Sequence, residues 1–204
     1  MSLITALVFV LTILPFNATT IVNAVTPASA NQSVNIAQEA AQNWLEETAS
    51  INPELSQWQN AKATTPQPYE NLEGEVNAYM FEVIGEKGLI GHILVGSSLY
   101  CYDILEAGTA PPPVVPELSV VQKAIETLGL SIDEANINKP DKYIYTGVDG
   151  CYALYTIKDQ TVAVNLVFES AVLASDLKMS MTSPQDYLEG KKETRLSNPA
   201  RFCS

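Results

Sequence analysis

The sequence predicts an α+β protein built as two αβββ halves, each a helix packed on a mainly antiparallel sheet of three to four strands. Two observations lead to this fold. The order of patterns along the 204 residues is helix, three strands, proline-rich linker, helix and three strands. The strand-like segments within each half are also joined by connections too short for anything but antiparallel hairpins. A chain of this length buries a core without metals or disulfide bonds and has room for two short units.

The N-terminal segment 1–30 has the features of a secretory signal peptide. The first 38 residues carry no charged side chain, and positions 3–16 form an apolar run too short to span a bilayer as a helix. Small residues that suit cleavage follow, which places the cut after Ala24 or Ala30. The segment lacks the usual Lys or Arg at its start, and an uncleaved anchor or a buried N-terminal helix is the alternative. We therefore predict a secreted or extracytoplasmic protein with no stable membrane span after signal removal.

The first half is predicted to cover residues 31–110. A helix is indicated at 34–50, where apolar side chains recur at helical spacing and Gln and Glu fill the other face. Residues 51–74 are rich in Pro, Gln, Asn and Thr, and we predict a loop or an irregular arm there. The three strands that follow are predicted at 75–84, 89–95 and 99–106.

Between the halves, residues 111–116 have the composition of a linker. Proline fixes φ and has no amide hydrogen, so a proline-rich run favours extended polyproline geometry over a helix or a central strand. The four prolines are Pro111, Pro112, Pro113 and Pro116. We expect an extended segment without regular secondary structure.

The second half is predicted to cover residues 117–183. Its helix begins near Glu117 and ends at Gly129, with apolar residues three and four positions apart. Asp149-Gly150 indicates a hairpin between two of its strands. The strands are predicted at 142–148, 151–157 and 161–168, and residues 171–174 allow a short fourth one. The remaining residues, 184–204, have the composition of a polar C-terminal tail.

The charge balance argues against a nucleic-acid partner. With 11 Lys and Arg against 23 Asp and Glu, the formal net charge is −12, whereas binding a phosphate backbone requires clustered cations. An acidic run at 70–75 offers the oxygen ligands that Ca²⁺ takes, but a solvated loop is the favoured interpretation of such a run. We therefore predict no nucleic-acid partner, no metal site and no cofactor.

Three cysteines, Cys101, Cys151 and Cys203, show neither a Cys-x-x-Cys motif nor metal-ligand spacing. In an oxidising compartment the expected outcome is one disulfide bond and one free thiol. Cys101 with Cys151 is the favoured pair, because both lie in strand-like segments and Cys203 is next to the last residue. Three unpaired thiols are the alternative.

His92 is the only histidine, and it lies in a predicted strand. If Ser97 and Ser98 form a two-residue turn, His92 pairs across the hairpin with Asp103. Such a pair would orient a base for a nucleophile, but the sequence has no Gly-x-Ser-x-Gly motif to provide one. A structural contact between His92 and Asp103 is the favoured interpretation, and we predict a protein that is not an enzyme.

The order of strand and helix patterns resembles that of a known group of propeptides. The segments that carry the likeness are Asn77-Ala-Tyr-Met-Phe-Glu-Val-Ile84, Gly88-Leu-Ile-Gly-His-Ile-Leu-Val95 and Ile104-Leu-Glu106, preceded by Ala40-Ala41-x-x-Trp44-Leu45 and followed by Lys142-Tyr-Ile-Tyr145 and Cys151-Tyr-Ala-Leu-Tyr155. They are similar to the prodomains of secreted streptopain-type and double-glycine-type cysteine peptidases. The chain departs from that pattern at His92, Gly96 and Asp103, where the family commonly has Tyr, Ser and Pro.

The resemblance implies a free-standing prodomain-like or inhibitor-like protein that binds a cysteine peptidase and does no chemistry itself. A propeptide occupies a substrate cleft with an extended segment, and the candidates here are the linker from Pro111 to Pro116 and the arm at 60–74. Two other functions remain open. One is an extracellular sensory or ligand-binding module of the same build, and the other is the remnant of a longer peptidase precursor without its catalytic half.

Overall fold

The computed structural model describes residues 27–64, 66–131, 137 and 139–197. The α-helices in these ranges are α1 (Pro27–Ile51), α2 (Leu118–Glu126) and α3 (Pro184–Ser197). The strands are β1 (Lys62–Ala63), β2 (Gln67–Glu70), β3 (Val76–Gly85), β4 (Gly88–Gly96), β5 (Ile104–Gly108), β6 (Lys142–Tyr145), β7 (Cys151–Ile157), β8 (Gln160–Asn165) and β9 (Ala171–Leu173).

Most of the predicted signal peptide lies outside the described residues. Of the two candidate cleavage residues, Ala24 is among those not described, and Ala30 lies within α1. Within the part of the chain that the structure describes, no helix combines the length and apolar character needed to cross a membrane.

All nine strands belong to one sheet with the order β5-β4-β3-β2-β6-β7-β8-β9, and β1 pairs with the end of β3. Neighbouring strands are antiparallel except β2 and β6, which run parallel and pair at Glu70 and Ile144. The predicted α+β class and the mainly antiparallel pairing are confirmed. The sheet, however, is continuous across both halves of the chain.

The segment 51–74, predicted as a loop or an irregular arm, contains the strand that joins the two halves of the sheet. It contains a 3₁₀ segment, Pro53–Trp58, followed by β1 and β2. β2 pairs with β3 along its whole length and with β6 at its last residue. An ion pair between Lys142 Nζ and Glu70 Oε2, 2.8 Å apart, lies beside this second pairing.

α1 and α2 lie on opposite faces of the sheet. Successive side chains of β3 point to opposite faces, so Phe81 packs with Leu45 of α1 while Met80 belongs to the cluster that includes Ile125 of α2. All four side chains are buried. Because both faces of β3 are covered along much of its length, its sequence is a nearly continuous apolar run rather than an alternating one.

α3 occupies the start of the segment that the sequence indicates as a polar tail. Ser183 caps the helix, because its Oγ accepts a hydrogen bond from the Asp186 amide at 3.2 Å. The ring of Tyr187 lies 5.3 Å from that of Tyr100 in an edge-to-face contact. The Tyr187 hydroxyl donates to Asp103 Oδ2 at 2.8 Å. These contacts dock the first turn of α3 on the connection between β4 and β5.

Candidate functional site

A groove on the α2 face of the sheet brings together the two segments that the sequence marks as candidates for binding. One wall is residues 66–69, at the start of β2, and the other is residues 112–115 of the proline-rich linker. Met80, Glu82 and Tyr143 complete the lining, and the volume is about 500 Å³. We call this feature the proline groove.

The β2 wall of the proline groove is fixed by strand pairing and by aromatic packing. Gln67 pairs with Met80 of β3, and Tyr69 pairs with Ala78. Tyr69 is 1% exposed, and its ring centroid lies 5.5 Å from that of Tyr143 on β6. Burial raises the pKa of Tyr69, so its phenol stays neutral at physiological pH. This wall is therefore rigid and largely apolar.

The opposite wall is a segment without regular secondary structure that is anchored on both sides of one exposed residue. Pro112 is buried, and Val115 packs against the core cluster on the α2 face. Val114, between them, is 65% exposed. Within the described residues, no backbone–backbone hydrogen bond involves 111–116. The segment thus combines a restricted backbone with peptide groups that are not used in the sheet.

His92 holds the start of this segment. Its Nδ1 donates to the Ala110 carbonyl oxygen at 2.8 Å, and its Nε2 lies 3.4 Å from Glu106 Oε1. Burial alone lowers the pKa of His92, but the hydrogen bonds to Glu106 and Ala110 and the charge of Glu106 outweigh it. The pKa of His92 therefore lies above its ordinary value of 6.5. The two ring nitrogens of His92 thus contact the backbone at Ala110 and the side chain of Glu106 on the neighbouring strand β5.

The predicted pairing of His92 with Asp103 is wrong, because His92 pairs with Gly108. Ser97 and Ser98 do not form a two-residue turn. Instead the chain makes a 3₁₀ turn at Ser98–Tyr100, followed by two residues with positive φ, Cys101 (55°) and Tyr102 (56°). This longer connection shifts the register, and Asp103 accepts the Tyr187 hydroxyl instead.

Cys101 and Cys151 are both free thiols, so the predicted disulfide bond between them is not present. Cys101 is exposed in the connection between β4 and β5, whereas Cys151 is buried in the core cluster on the α2 face. Burial, followed by the charges of Glu106 and Asp149, raises the pKa of Cys151 to about 12. Its thiol is therefore neutral and a poor nucleophile at physiological pH. Cys203 lies outside the described residues.

The acidic run at 70–75 is divided among separate partners. Glu70 pairs with Lys142, and Glu75 Oε2 accepts a hydrogen bond from Asn71 Nδ2 at 3.3 Å. Among the described residues, no group of three or more His, Cys, Asp or Glu side chains is arranged to hold a metal ion.

Sequence patterns do not single out Tyr69 or Met80 as groove residues. Tyr143 is one of six tyrosines in strand segments that could line a peptide groove, although core or sheet-face packing is the favoured use from the sequence. Pro66 and Pro68 obscure the strand that contains Tyr69, because proline is rare inside paired strands. The spacing of Gln67 and Tyr69, two positions apart with Pro68 between them, is the one available signal that both point to the same face.

No family model matches the chain, and no curated protein or solved structure matches it.

Proposed function

We propose that this protein is a secreted, non-catalytic binder of a cysteine peptidase, a prodomain-like inhibitor whose segment 111–116 enters the substrate cleft. The observation that supports the proposal best is the exposed side chain of Val114 on a segment anchored at Pro112 and Val115. In this proposal the chain consists of two αβββ units, and the segment lies where the first unit passes into the second.

The proline content of the segment favours tight binding. Fixing the backbone of a flexible residue costs about 1–2 kcal/mol, and a segment that is already restricted avoids much of this cost when it binds. Four of the six residues at 111–116 are proline. Within the described part of the chain, the carbonyl groups of the segment and the amides of Val114 and Val115 are not used in backbone–backbone hydrogen bonds. In this proposal they pair with an enzyme backbone, which is how extended peptides are commonly recognised.

The environments of His92 and Cys151 support a role without catalysis. Cysteine peptidase chemistry requires a thiolate and a histidine that can exchange protons with it. Here the two ring nitrogens of His92 already contact Ala110 and Glu106. The pKa of Cys151 is raised to about 12, mainly by burial. These two residues stabilise the fold around the groove.

An inhibition titration tests the proposal. The purified protein is added to a papain-like and to a streptopain-type cysteine peptidase in the presence of a fluorogenic peptide substrate. We expect stoichiometric loss of activity with an inhibition constant below about 1 µM. Val114→Asp should weaken inhibition at least tenfold, or about 1.4 kcal/mol, because it places a charge in the cleft.

Val148→Asp is the matched control, because Val148 is 74% exposed on the connection between β6 and β7. It should inhibit as well as the unmodified protein. The proposal is refuted if neither peptidase loses activity and size-exclusion chromatography shows no complex. Equal weakening by both valine variants would also refute the assigned segment.

A further inference from the structure

A second cavity shares no lining residue with the proline groove. It lies between the turn at 71–75 and the segment 179–185, and it has a volume of about 430 Å³. Small-molecule sites in proteins commonly have volumes of about 300–1,000 Å³. We call it the acceptor pocket, and the residues that define it are Asn71, Glu73, Glu75, Asn77, Tyr100 and Met181.

Asn77 is the residue that indicates a ligand. It is 1% exposed, and its Nδ2 donates to the Tyr145 carbonyl oxygen at 2.9 Å. The same nitrogen lies 3.8 Å from Met181 Sδ, so the orientation of the amide is fixed. Its Oδ1 is buried and accepts no hydrogen bond from any described residue. Because buried acceptors are nearly always satisfied, this oxygen, on a residue that lines the pocket, lacks the N–H or O–H donor that such an acceptor needs.

The turn at 71–75 adds negative charge to the same cavity. Asn71 Oδ1 accepts from the Glu75 amide at 2.8 Å, and Asn71 Nδ2 donates to Glu75 Oε2 at 3.3 Å. Only one oxygen of Glu75 is used in this turn. Glu73 and Tyr100 line the same pocket, and the charge of Glu73, after the larger effect of burial, raises the pKa of Tyr100. Among the described residues that line the pocket there is no Lys, Arg or His.

The remaining walls combine apolar and polar side chains. Met179 and Met181 provide flexible, polarisable surface suited to an aliphatic chain, whereas the Tyr100 ring is buried and packs against Tyr187. The Tyr100 hydroxyl donates to the Thr182 carbonyl oxygen at 3.2 Å. The Met181 amide donates to the Thr146 carbonyl oxygen at 2.9 Å. The segment opposite the carboxylates is thus fixed to the sheet.

We infer that the acceptor pocket binds an organic cation that carries N–H donors on a short aliphatic stem. This is the chemistry of an arginine or lysine side chain and of free alkylguanidines and alkylamines. One N–H group satisfies Asn77 Oδ1, the positive charge lies between Glu73 and Glu75, and the stem packs on the methionines. The inference goes beyond the proposed inhibition and does not depend on it, because the pocket and the proline groove share no residue.

Methionine-methyl NMR of the full chain tests this inference directly. The sequence has four methionines, Met1, Met80, Met179 and Met181, so labelled methyl groups report on the acceptor pocket and on a site away from it. Agmatine supplies a free alkylguanidine, and N-acetyl-arginine amide supplies the same group in peptide form. We expect saturable shifts of the Met179 and Met181 methyl signals with a Kd of about 1 mM or tighter. The Met80 signal, from the lining of the proline groove, should stay in place.

Two comparisons separate charge recognition from general binding. N-acetyl-citrulline amide has nearly the same shape without the charge and should shift the signals little. Glu73→Gln should weaken agmatine binding about fivefold, the effect of one partly solvated charge pair. Glu126→Gln, at an exposed position on α2, is the matched control and should leave binding unchanged. Asn77→Leu should abolish binding, and an unshifted Met80 signal shows that this variant is folded.

Each outcome supports or overturns the inference. Stronger binding of agmatine assigns a free amine as the source of the cation, and stronger binding of the arginine amide assigns a polypeptide side chain. The inference is wrong if the citrulline compound binds as well as the arginine compound, or if no saturable shift occurs. It is also wrong if Ca²⁺ shifts the same methyl signals more strongly, or if the Glu73 and Glu126 variants behave alike.

Discussion

Trp58 should contribute more to the stability of the fold than any other aromatic residue on the α1 face. Among the described residues it is the largest fully buried side chain, 1% exposed, and its ring contacts the Trp44 ring edge-to-face with centroids 5.9 Å apart. Trp58→Ala removes these contacts and leaves a cavity under α1. We expect the free energy of unfolding to fall by about 3–5 kcal/mol, which lowers Tm by about 6–20 °C for a chain of this size.

Urea denaturation followed by far-ultraviolet circular dichroism measures this change without relying on tryptophan fluorescence. Trp44→Ala is the comparison variant, because Trp44 is only partly buried, and it should cost about 1–2 kcal/mol. Trp58→Phe should also cost no more than about 2 kcal/mol, since Trp58 Nε1 is buried with no hydrogen-bond partner among the described residues and no such bond is lost. A cost below about 1 kcal/mol for Trp58→Ala, or a larger cost for Trp44→Ala, would refute this account of the core.

Two further predictions concern the strand that carries His92. In Gly91→Ala, the new Cβ would lie 2.5 Å from the Gly108 carbonyl oxygen. Urea denaturation should show a loss of about 1–3 kcal/mol, whereas Gly190→Ala in α3, with no atom within 4 Å of the new Cβ, should lose nothing. Because the pKa of His92 is raised in the folded protein, its stabilising effect is complete below pH 6.5 and is lost as pH rises through the folded pKa. Tm against pH should show this fall, and His92→Gln should remove it; an unchanged profile in the variant would contradict the role assigned to Glu106.

The elements of this fold that depend on neighbouring residues could be predicted from the sequence. β4 begins at Gly88, directly after the short turn from β3, with a φ of +109° that glycine adopts readily. The linker at 111–116 has no regular secondary structure, as expected from its prolines. The two main helices follow from apolar spacing, although α1 begins earlier than its pattern indicates. Neighbouring residues were sufficient to predict an element wherever one turn or one apolar helix face determined its structure.

Features that depend on unusual backbone or on distant contacts could not be predicted. Cys101 and Tyr102 both have positive φ, and neither residue type indicates that conformation in advance. The register between β4 and β5, and with it the partner of His92, therefore could not be derived. The acceptor pocket could not be predicted from the sequence either, because the orientation of the Asn77 side chain is set by the Tyr145 carbonyl oxygen, 68 positions away.

The parallel pairing of β2 with β6 determines the order in which the sheet can close. On either side of it, neighbouring strands are mostly joined by short hairpins, which close at little entropic cost. The ion pair at this junction, in contrast, joins residues 72 positions apart, and contacts of such long range are slow to form. The pairing of β2 with β6 is thus the last part of the sheet to form. Gln67 and Tyr143 of the proline groove lie on opposite sides of this pairing. Any ligand held between these two side chains would link the two halves of the sheet and favour the folded state by mass action.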